Sequence, residues 1–131
     1  MSKFIVKGGS SLEGEVKISG SKNATLPILC ASLLTDEESI IENVPDIEDI
    51  RSILQILRAL GAHAEFTNNT VKIAALKINP KNVPEEAICR MRASILLLGP
   101  LLSRTGEAKI PYPGGCILGK RPVFAHTNTL A

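Results

Sequence analysis

Residues 23–33 read Asn-Ala-Thr-Leu-Pro-Ile-Leu-Cys-Ala-Ser-Leu, and residues 92–102 read Arg-Ala-Ser-Ile-Leu-Leu-Leu-Gly-Pro-Leu-Leu. In both stretches a polar or cationic residue opens a predicted apolar helix, and an acidic turn and a predicted strand follow. The two stretches start 69 residues apart. We interpret them as two copies of one helix-plus-strand unit, which predicts an α/β fold built by repetition and further copies beyond residue 131. The alternative is chance similarity of two buried helices, because the shared identities are few and mostly apolar.

The rest of the pattern places strands and helices around these two stretches. Short or alternating apolar runs predict strands at residues 4–6, 14–18, 39–44, 62–66, 70–73 and 107–110. Helices are predicted over residues 24–34 with Pro27 in the first turn, from an N-cap at Asp46 to a stop at Gly61, and over residues 85–103 with a kink at Gly99-Pro100. Asn68-Asn69 predicts a tight hairpin between the fourth and fifth strands.

Composition limits the classes of function. At 131 residues the chain suits one domain with a real core. A net charge of +2 and 3% aromatic residues argue against a nucleic-acid binder, which usually carries a dense basic patch or stacking aromatics. We recognise no signal peptide and no run of roughly 20 apolar residues that would predict a membrane span. The three cysteines are far apart and odd in number, which fits neither a disulfide framework nor a zinc site, so we predict a cytoplasmic protein without metal or cofactor.

The stretch from Pro113 to Pro122 places Cys116 among three glycines, with Lys120 and Arg121 just downstream. Three interpretations compete: a catalytic thiol loop, a phosphate-cradling loop and an ordinary glycine-rich turn. Glycines favour a shaped loop, and nearby cations favour the thiolate form of a cysteine. The spacing begins like a Walker A motif, but Arg121 stands where a magnesium-binding Ser or Thr is required. That substitution makes the phosphate loop the weakest of the three.

Other candidate residues each have a structural alternative. Lys22 and Asn23 lie where a polar loop enters a helix, a natural anion site, although a solvated lysine and a capping asparagine explain the same pattern. Arg92 opens the second apolar helix and either reaches solvent or faces a ligand. We interpret Cys30 and Cys89 as core residues. His63 and His126 lack metal-ligand spacing and are assigned surface or structural roles.

Three segments resemble one family. Residues 14–24 (Gly-Glu-Val-Lys-Ile-Ser-Gly-Ser-Lys-Asn-Ala), 91–94 (Met-Arg-Ala-Ser) and 113–123 (Pro-Gly-Gly-Cys-Ile-Leu-Gly-Lys-Arg-Pro-Val) resemble signatures of the UDP-N-acetylglucosamine enolpyruvyl transferases (1-carboxyvinyltransferases). The resemblance covers essentially the whole chain but only about the first third of a family member. The related shikimate-pathway transferases typically have Lys-Ser where this chain has Lys22-Asn23, and they lack the cysteine loop.

The resemblance implies an activity and a set of roles. Family members transfer the enolpyruvyl group of phosphoenolpyruvate to the 3-hydroxyl of UDP-N-acetylglucosamine and release phosphate, the first committed step of bacterial peptidoglycan synthesis. By resemblance, Cys116 protonates the phosphoenolpyruvate methylene and is the residue that fosfomycin alkylates. Lys22 and Arg121 hold the phosphate and carboxylate, with Asn23 beside them. The contacts to UDP-N-acetylglucosamine fall to Arg92, Arg121, Pro122, Val123, Phe124 and Ala125.

The resemblance also implies an architecture. Family members are inside-out α/β barrels, or prisms, in which repeated helix-plus-strand units keep helices inside and sheets outside. Residues 1–20 would then contribute strands to the second domain of the full-length protein, and residues 21–131 would form the first part of the substrate-binding domain that carries the catalytic loop. We expect the chain to be truncated and inactive without the missing C-terminal part, which carries the family's catalytic aspartate. The alternative function is a non-catalytic module that binds a nucleotide sugar or another anion.

Overall fold

The computed structural model describes residues 3–9, 11–114 and 122–130, which form a mixed α/β unit. Its helices are α1 (Lys22–Ala31), α2 (Glu48–Ala59), α3 (Glu85–Arg90), α4 (Leu98–Thr105) and α5 (Phe124–Leu130), with 3₁₀ segments at Ser32–Leu34 and Arg92–Leu97. Its strands are β1 (Ser39–Ile41), β2 (His63–Thr67) and β3 (Thr70–Ala74). Within these described ranges, no helix has both the length and the apolar character needed to cross a bilayer.

Helix α2 follows the predicted apolar spacing. The side chains of Ile50, Ile53, Leu54, Leu57 and Leu60 are all buried in the core. Such a stripe faces the core because side chains three and four positions apart share one side of a helix. The chain leaves the helix at Gly61, as predicted. Gly61 has a φ of +107°, a left-handed conformation that favours glycine.

The predicted N-cap of α2 is wrong. Ile47 occupies that position, and its side chain makes no capping hydrogen bond. The carboxylate of Asp46 instead accepts two hydrogen bonds from the Arg51 guanidinium, at 2.8 and 2.9 Å. This contact lowers the pKa of the Asp46 carboxyl below its usual value. Asp46 therefore binds Arg51 in a bidentate contact and does not cap α2.

The three strands form an antiparallel sheet in the order β1-β3-β2, and the predicted hairpin is confirmed. Asn68 and Asn69 have φ values of 49° and 58°, the left-handed turn that two-residue hairpins favour. Val71 and Ile73 are buried and face the helices, whereas Lys72 between them is exposed on the outer face. The sheet therefore lies against the helices with one side open to solvent.

Strand β1 is shorter than predicted, because the chain turns away at Asn43, which has a φ of 54°. The backbone then pairs with the hairpin turn in a different way. The Val44 amide donates to the Asn69 carbonyl at 2.7 Å, and the Asn69 side-chain amide donates to the Val44 carbonyl at 2.8 Å. These two bonds replace the strand ladder.

The two stretches that decide the fold pack side by side. Helix α1 lies against the 3₁₀ segment Arg92–Leu97, and the 3₁₀ segment Ser32–Leu34 lies against α4. At the far end, the Arg104 guanidinium donates to the carbonyls of Leu33 and Ala75 at 3.1 and 3.0 Å. The two helical stretches therefore run parallel, and both begin at the same end of the unit.

The predicted helix over residues 85–103 is broken, but not where expected. Met91 leaves the helical conformation with φ −128° and ψ 119°, which separates α3 from the 3₁₀ segment. Gly99 and Pro100, the predicted kink, lie instead in the first turn of α4. A proline is tolerated there because the first-turn amides have no partner within the helix.

Helix α1 begins two residues earlier than predicted, at Lys22, with Ser21 as its N-cap. The hydroxyl of Ser21 accepts a hydrogen bond from the Ala24 amide at 3.4 Å. Pro27 therefore lies in the second turn, not the first. Because proline has no amide hydrogen, it cannot donate to the carbonyl of Asn23, four residues earlier.

The predicted strands at residues 4–6, 14–18 and 107–110 are wrong for the described part of the chain, which has no strand there. A strand requires a neighbour that accepts and donates its backbone hydrogen bonds, and none lies beside these segments in the described sheet. Phe4 and Val6 are 98% and 88% exposed as a result. The segment is anchored at Gly20, where a Cβ atom would overlap the carbonyl of Asn43.

Candidate functional site

A pocket of about 450 Å³ lies where the two parallel helical stretches begin. It brings together three of the residues that the sequence analysis singled out, Lys22, Asn23 and Arg92. Because Arg92 lies 69 positions after Asn23, the parallel packing of the two stretches is what places these residues around one space. The lining comprises Lys22, Asn23, Leu26, Asp49, Arg90, Met91, Arg92, Ala93, Ile95 and Leu96.

The first wall of the pocket is the start of α1. Besides its hydroxyl cap, Ser21 accepts two hydrogen bonds at its carbonyl, from the Thr25 amide at 2.9 Å and the Thr25 hydroxyl at 2.8 Å. Leu26 is buried and fixes the inner face of the helix. The first turn therefore presents Lys22 and Asn23 at the positive end of the helix dipole, a position that favours an anion.

The second wall is the break at Met91. The fully buried Ser94 hydroxyl lies 2.6 Å from the Met91 carbonyl and 3.1 Å from the Ile88 carbonyl, and can donate to either. These contacts hold the chain in its turn out of α3. Arg92 directly follows the break and lines the pocket. Within the Met91-Arg92-Ala93-Ser94 segment, Ser94 therefore stabilises the break in the helix, and the break places Arg92 at the pocket.

The charges on the lining favour an anion. The ammonium of Lys22 lies 2.8 Å from a carboxylate oxygen of Asp49, at the first turn of α2. Arg90 pairs with Glu86 at 3.2 Å. The lining thus carries three cations, Lys22, Arg90 and Arg92, against one carboxylate. Phosphate and carboxylate groups fit such a lining.

Asp49, like Arg90, is a charged lining residue that sequence reasoning missed. Nothing in the sequence distinguishes Asp49 from any other acid in the first turn of a helix, where acids are ordinary. Its contact with Lys22 joins two helices across 27 positions of sequence. No local pattern signals such a contact.

The predicted cysteine loop is described only at its two ends. Cys116, the predicted proton donor, and Arg121, a predicted ligand of both substrates, lie outside the described residues. At the loop's start, the thiol of Cys89 donates to the Tyr112 carbonyl at 3.7 Å. A Cβ atom at Gly114 would overlap the Cys89 carbonyl, so glycine is required for this close approach. The start of the loop is therefore packed onto the end of α3, next to the break that positions Arg92.

The described end of the loop does not join the pocket. Of the predicted run for UDP-N-acetylglucosamine, the four described residues, Pro122, Val123, Phe124 and Ala125, are absent from its lining. Val123 is 7% exposed, whereas Phe124 begins α5, whose described side chains are not buried. Their assignment stays a prediction.

The structure separates the two other cysteines. Cys30 is buried as predicted, and burial raises the pKa of its thiol to about 12. The core assignment of Cys89 is wrong: the last turn of α3 turns its side chain outward, and it is exposed. His63 is also exposed, 3.2 Å from Glu65. In the described ranges, no group of three or more His, Cys, Asp or Glu side chains could hold a metal ion.

This difference predicts selective thiol labelling. Alkylation of the folded protein at pH 8 is expected to modify Cys89 and to leave Cys30 unmodified, because a buried thiol with a pKa of about 12 has almost no thiolate at that pH. Peptide mass spectrometry measures the labelling at each site. In denaturant Cys30 is expected to react as well. Modification of Cys30 in the folded protein at a rate similar to Cys89 would contradict this burial.

These features define a class: a mixed α/β chain with a pocket, lined by three cations, between two parallel helical stretches. Residues 6–131 match the family described as EPSP synthase (3-phosphoshikimate 1-carboxyvinyltransferase), and the chain belongs to this family.

The chain is 50% identical over 130 residues to proteins named UDP-N-acetylglucosamine 1-carboxyvinyltransferase from Methylacidiphilum infernorum and Oleidesulfovibrio alaskensis. It is 49% identical to the protein of that name from Thermotoga maritima. Each match covers 99% of this chain, which spans 31% of the length of these relatives. The crystal structure of the enolpyruvyl transferase NikO from Streptomyces tendae matches 77% of this chain and 24% of that chain, with a TM-score of 0.68 and 33% identity.

Proposed function

We propose that the full-length protein containing this chain transfers the enolpyruvyl group from phosphoenolpyruvate to the 3-hydroxyl of UDP-N-acetylglucosamine and releases phosphate. This reaction is the first committed step of peptidoglycan synthesis. One observation carries the proposal: the adjacent Lys22 and Asn23 line a single pocket with Arg92, which is distant in sequence. The 50% identity to proteins named for this transfer supports the choice of substrates.

The residues that line the pocket are proposed to bind different parts of the two substrates. Lys22 at the start of α1 binds the phosphate of phosphoenolpyruvate, with Asn23 beside it. Arg121 is proposed as a second ligand of this substrate. Arg92 is proposed to bind UDP-N-acetylglucosamine together with the run from Arg121 to Ala125. Fixed cations of this kind stabilise the charge that develops as the reaction proceeds.

Cys116 is proposed as the proton donor. Its thiol gives a proton to the methylene carbon of phosphoenolpyruvate, a suitable role for a weakly acidic side chain. The 3-hydroxyl oxygen bonds to the neighbouring carbon and loses its proton to a base outside this chain. Loss of a methyl proton and of phosphate from the resulting tetrahedral intermediate restores the double bond.

The proposal extends to the architecture. The parallel helical stretches with a sheet on one side support an inside-out prism of repeated units, of which this chain forms part. The exposed apolar residues of segment 3–20 support their assignment to a second domain. The remaining part of the substrate-binding domain would come from the C-terminal part of the protein. Free Cys30 and Cys89 support a cytoplasmic location.

Phosphate release tests the function. The full-length protein, mixed with phosphoenolpyruvate and UDP-N-acetylglucosamine, is expected to release one phosphate for each enolpyruvyl-sugar formed, and none when either substrate is omitted. Residues 1–131 alone are expected to release none. Binding of the UDP-sugar by the full-length protein without any phosphate release would favour the non-catalytic module.

A further inference from the structure

The contact between Lys22 and Asp49 has features that fold stability does not explain. Both side chains are substantially exposed, 47% and 41%, and an ion pair in such a position contributes little to stability. Asp49 is not required as an acid for the first turn of α2, because Glu48 occupies the same turn. The carboxylate nevertheless lies in the lining of an otherwise cationic pocket.

The position of this carboxylate has two physical effects. At 2.8 Å from the ammonium, it restricts a flexible four-carbon side chain to the mouth of the pocket. It also contributes the one negative charge of a lining with three cations, which weakens the attraction for any anion. A pocket that must bind a phosphate ester and then release inorganic phosphate benefits from both effects.

We propose that Asp49 is a positioning residue that holds the Lys22 ammonium in the pocket and, as its counter-charge, keeps the affinity for inorganic phosphate low enough for release. This inference rests on the proposed function for its link to turnover. The counter-charge role of Asp49 concerns only the affinity for anions and does not depend on turnover. The positioning role and the counter-charge role can therefore be tested separately.

The test measures phosphate binding by calorimetry and turnover by phosphate release, on the full-length protein. Asp49→Asn removes the charge and retains the size of the side chain. It is expected to tighten phosphate binding about threefold or more at low salt, with a smaller effect at high salt. It is also expected to lower kcat while KM for phosphoenolpyruvate falls or stays constant. If Asp49 had a purely structural role, its substitution would neither tighten phosphate binding nor lower kcat without raising KM.

Two further variants separate charge from position. Asp49→Glu retains the charge on a longer side chain, so phosphate affinity should stay near that of the unsubstituted protein while kcat falls. Asp46→Asn is the matched control, since Asp46 forms an equally short ion pair with Arg51 but does not line the pocket. It is expected to change neither quantity. Thermal unfolding verifies that each variant is folded.

Each outcome decides a different claim. Equal phosphate affinity for Asp49→Asn and the unsubstituted protein would overturn the counter-charge, as would equally tight binding by Asp49→Glu and Asp49→Asn. An unchanged kcat in both Asp49 variants would overturn the positioning role. If the protein shows no turnover, the proposed function fails, while the phosphate measurements still decide whether Asp49 weakens anion binding.

Discussion

Replacing Cys116 by serine in the full-length protein is expected to abolish most of the turnover, by a factor of about 10² to 10⁴, the range that a positioned proton donor contributes. A serine hydroxyl is a much weaker acid than a thiol of pKa ~8.5, so it cannot supply the proton to the methylene carbon at neutral pH. Steady-state phosphate release measures the loss. Binding of UDP-N-acetylglucosamine, measured by calorimetry, is expected to persist.

The chain offers its own control for this substitution. Cys89 is exposed, lies on α3 and is absent from the pocket lining, so Cys89→Ser is expected to retain turnover. Fosfomycin is expected to add its mass to the unsubstituted protein and to Cys89→Ser, but not to Cys116→Ser. Unchanged turnover in Cys116→Ser would remove the role assigned to this thiol.

Replacing Lys22 by alanine is expected to lower kcat/KM for phosphoenolpyruvate by about 10² to 10³, as the removal of one preorganised charge-stabilising group does. The loss should exceed that of an isolated cation, because the Asp49 carboxylate, 2.8 Å from the Lys22 ammonium, then faces the substrate without its partner. The double variant Lys22→Ala/Asp49→Asn is therefore expected to have a lower KM for phosphoenolpyruvate than Lys22→Ala. Initial rates at several concentrations of phosphoenolpyruvate measure kcat and KM for each variant.

Lys72 provides the comparison for Lys22. It is exposed on the outer face of β3, away from the pocket lining, and its replacement by alanine also removes one positive charge. Retained activity in Lys72→Ala would show that net charge alone does not cause the loss. A Lys22→Ala variant with an unchanged kcat/KM would exclude Lys22 as a ligand of phosphoenolpyruvate.

Local chemistry predicted the elements whose causes are local. The apolar spacing from Ile50 to Leu60 defined α2, because one face of that helix supplies much of the core. Asn68 and Asn69 defined the hairpin, since asparagine tolerates the left-handed conformation of a two-residue turn. The likeness of the stretches that begin at Asn23 and Arg92 predicted a repeated unit, but it did not predict that the two stretches pack side by side.

The errors arose where a specific side-chain contact or a distant residue decides the structure. The break at Met91 depends on Ser94, whose buried hydroxyl contacts two carbonyls, and no propensity rule signals that contact. The strands expected near Phe4 and Ile110 lack neighbours in the described sheet, whatever their own preference. Asp49 joins the site only because α2 packs against α1. Sequence thus predicted the individual groups of the site better than their partners.

The parallel arrangement of the two helical stretches is expected to couple anion binding in the pocket to the stability of the folded chain. Parallel neighbours align their backbone dipoles, so the positive ends of α1 and of the stretch from Arg92 repel each other at the pocket. An anion bound between them relieves that repulsion. We expect an anion that binds in the pocket to stabilise the folded chain by mass action, because the unfolded chain has no such pocket.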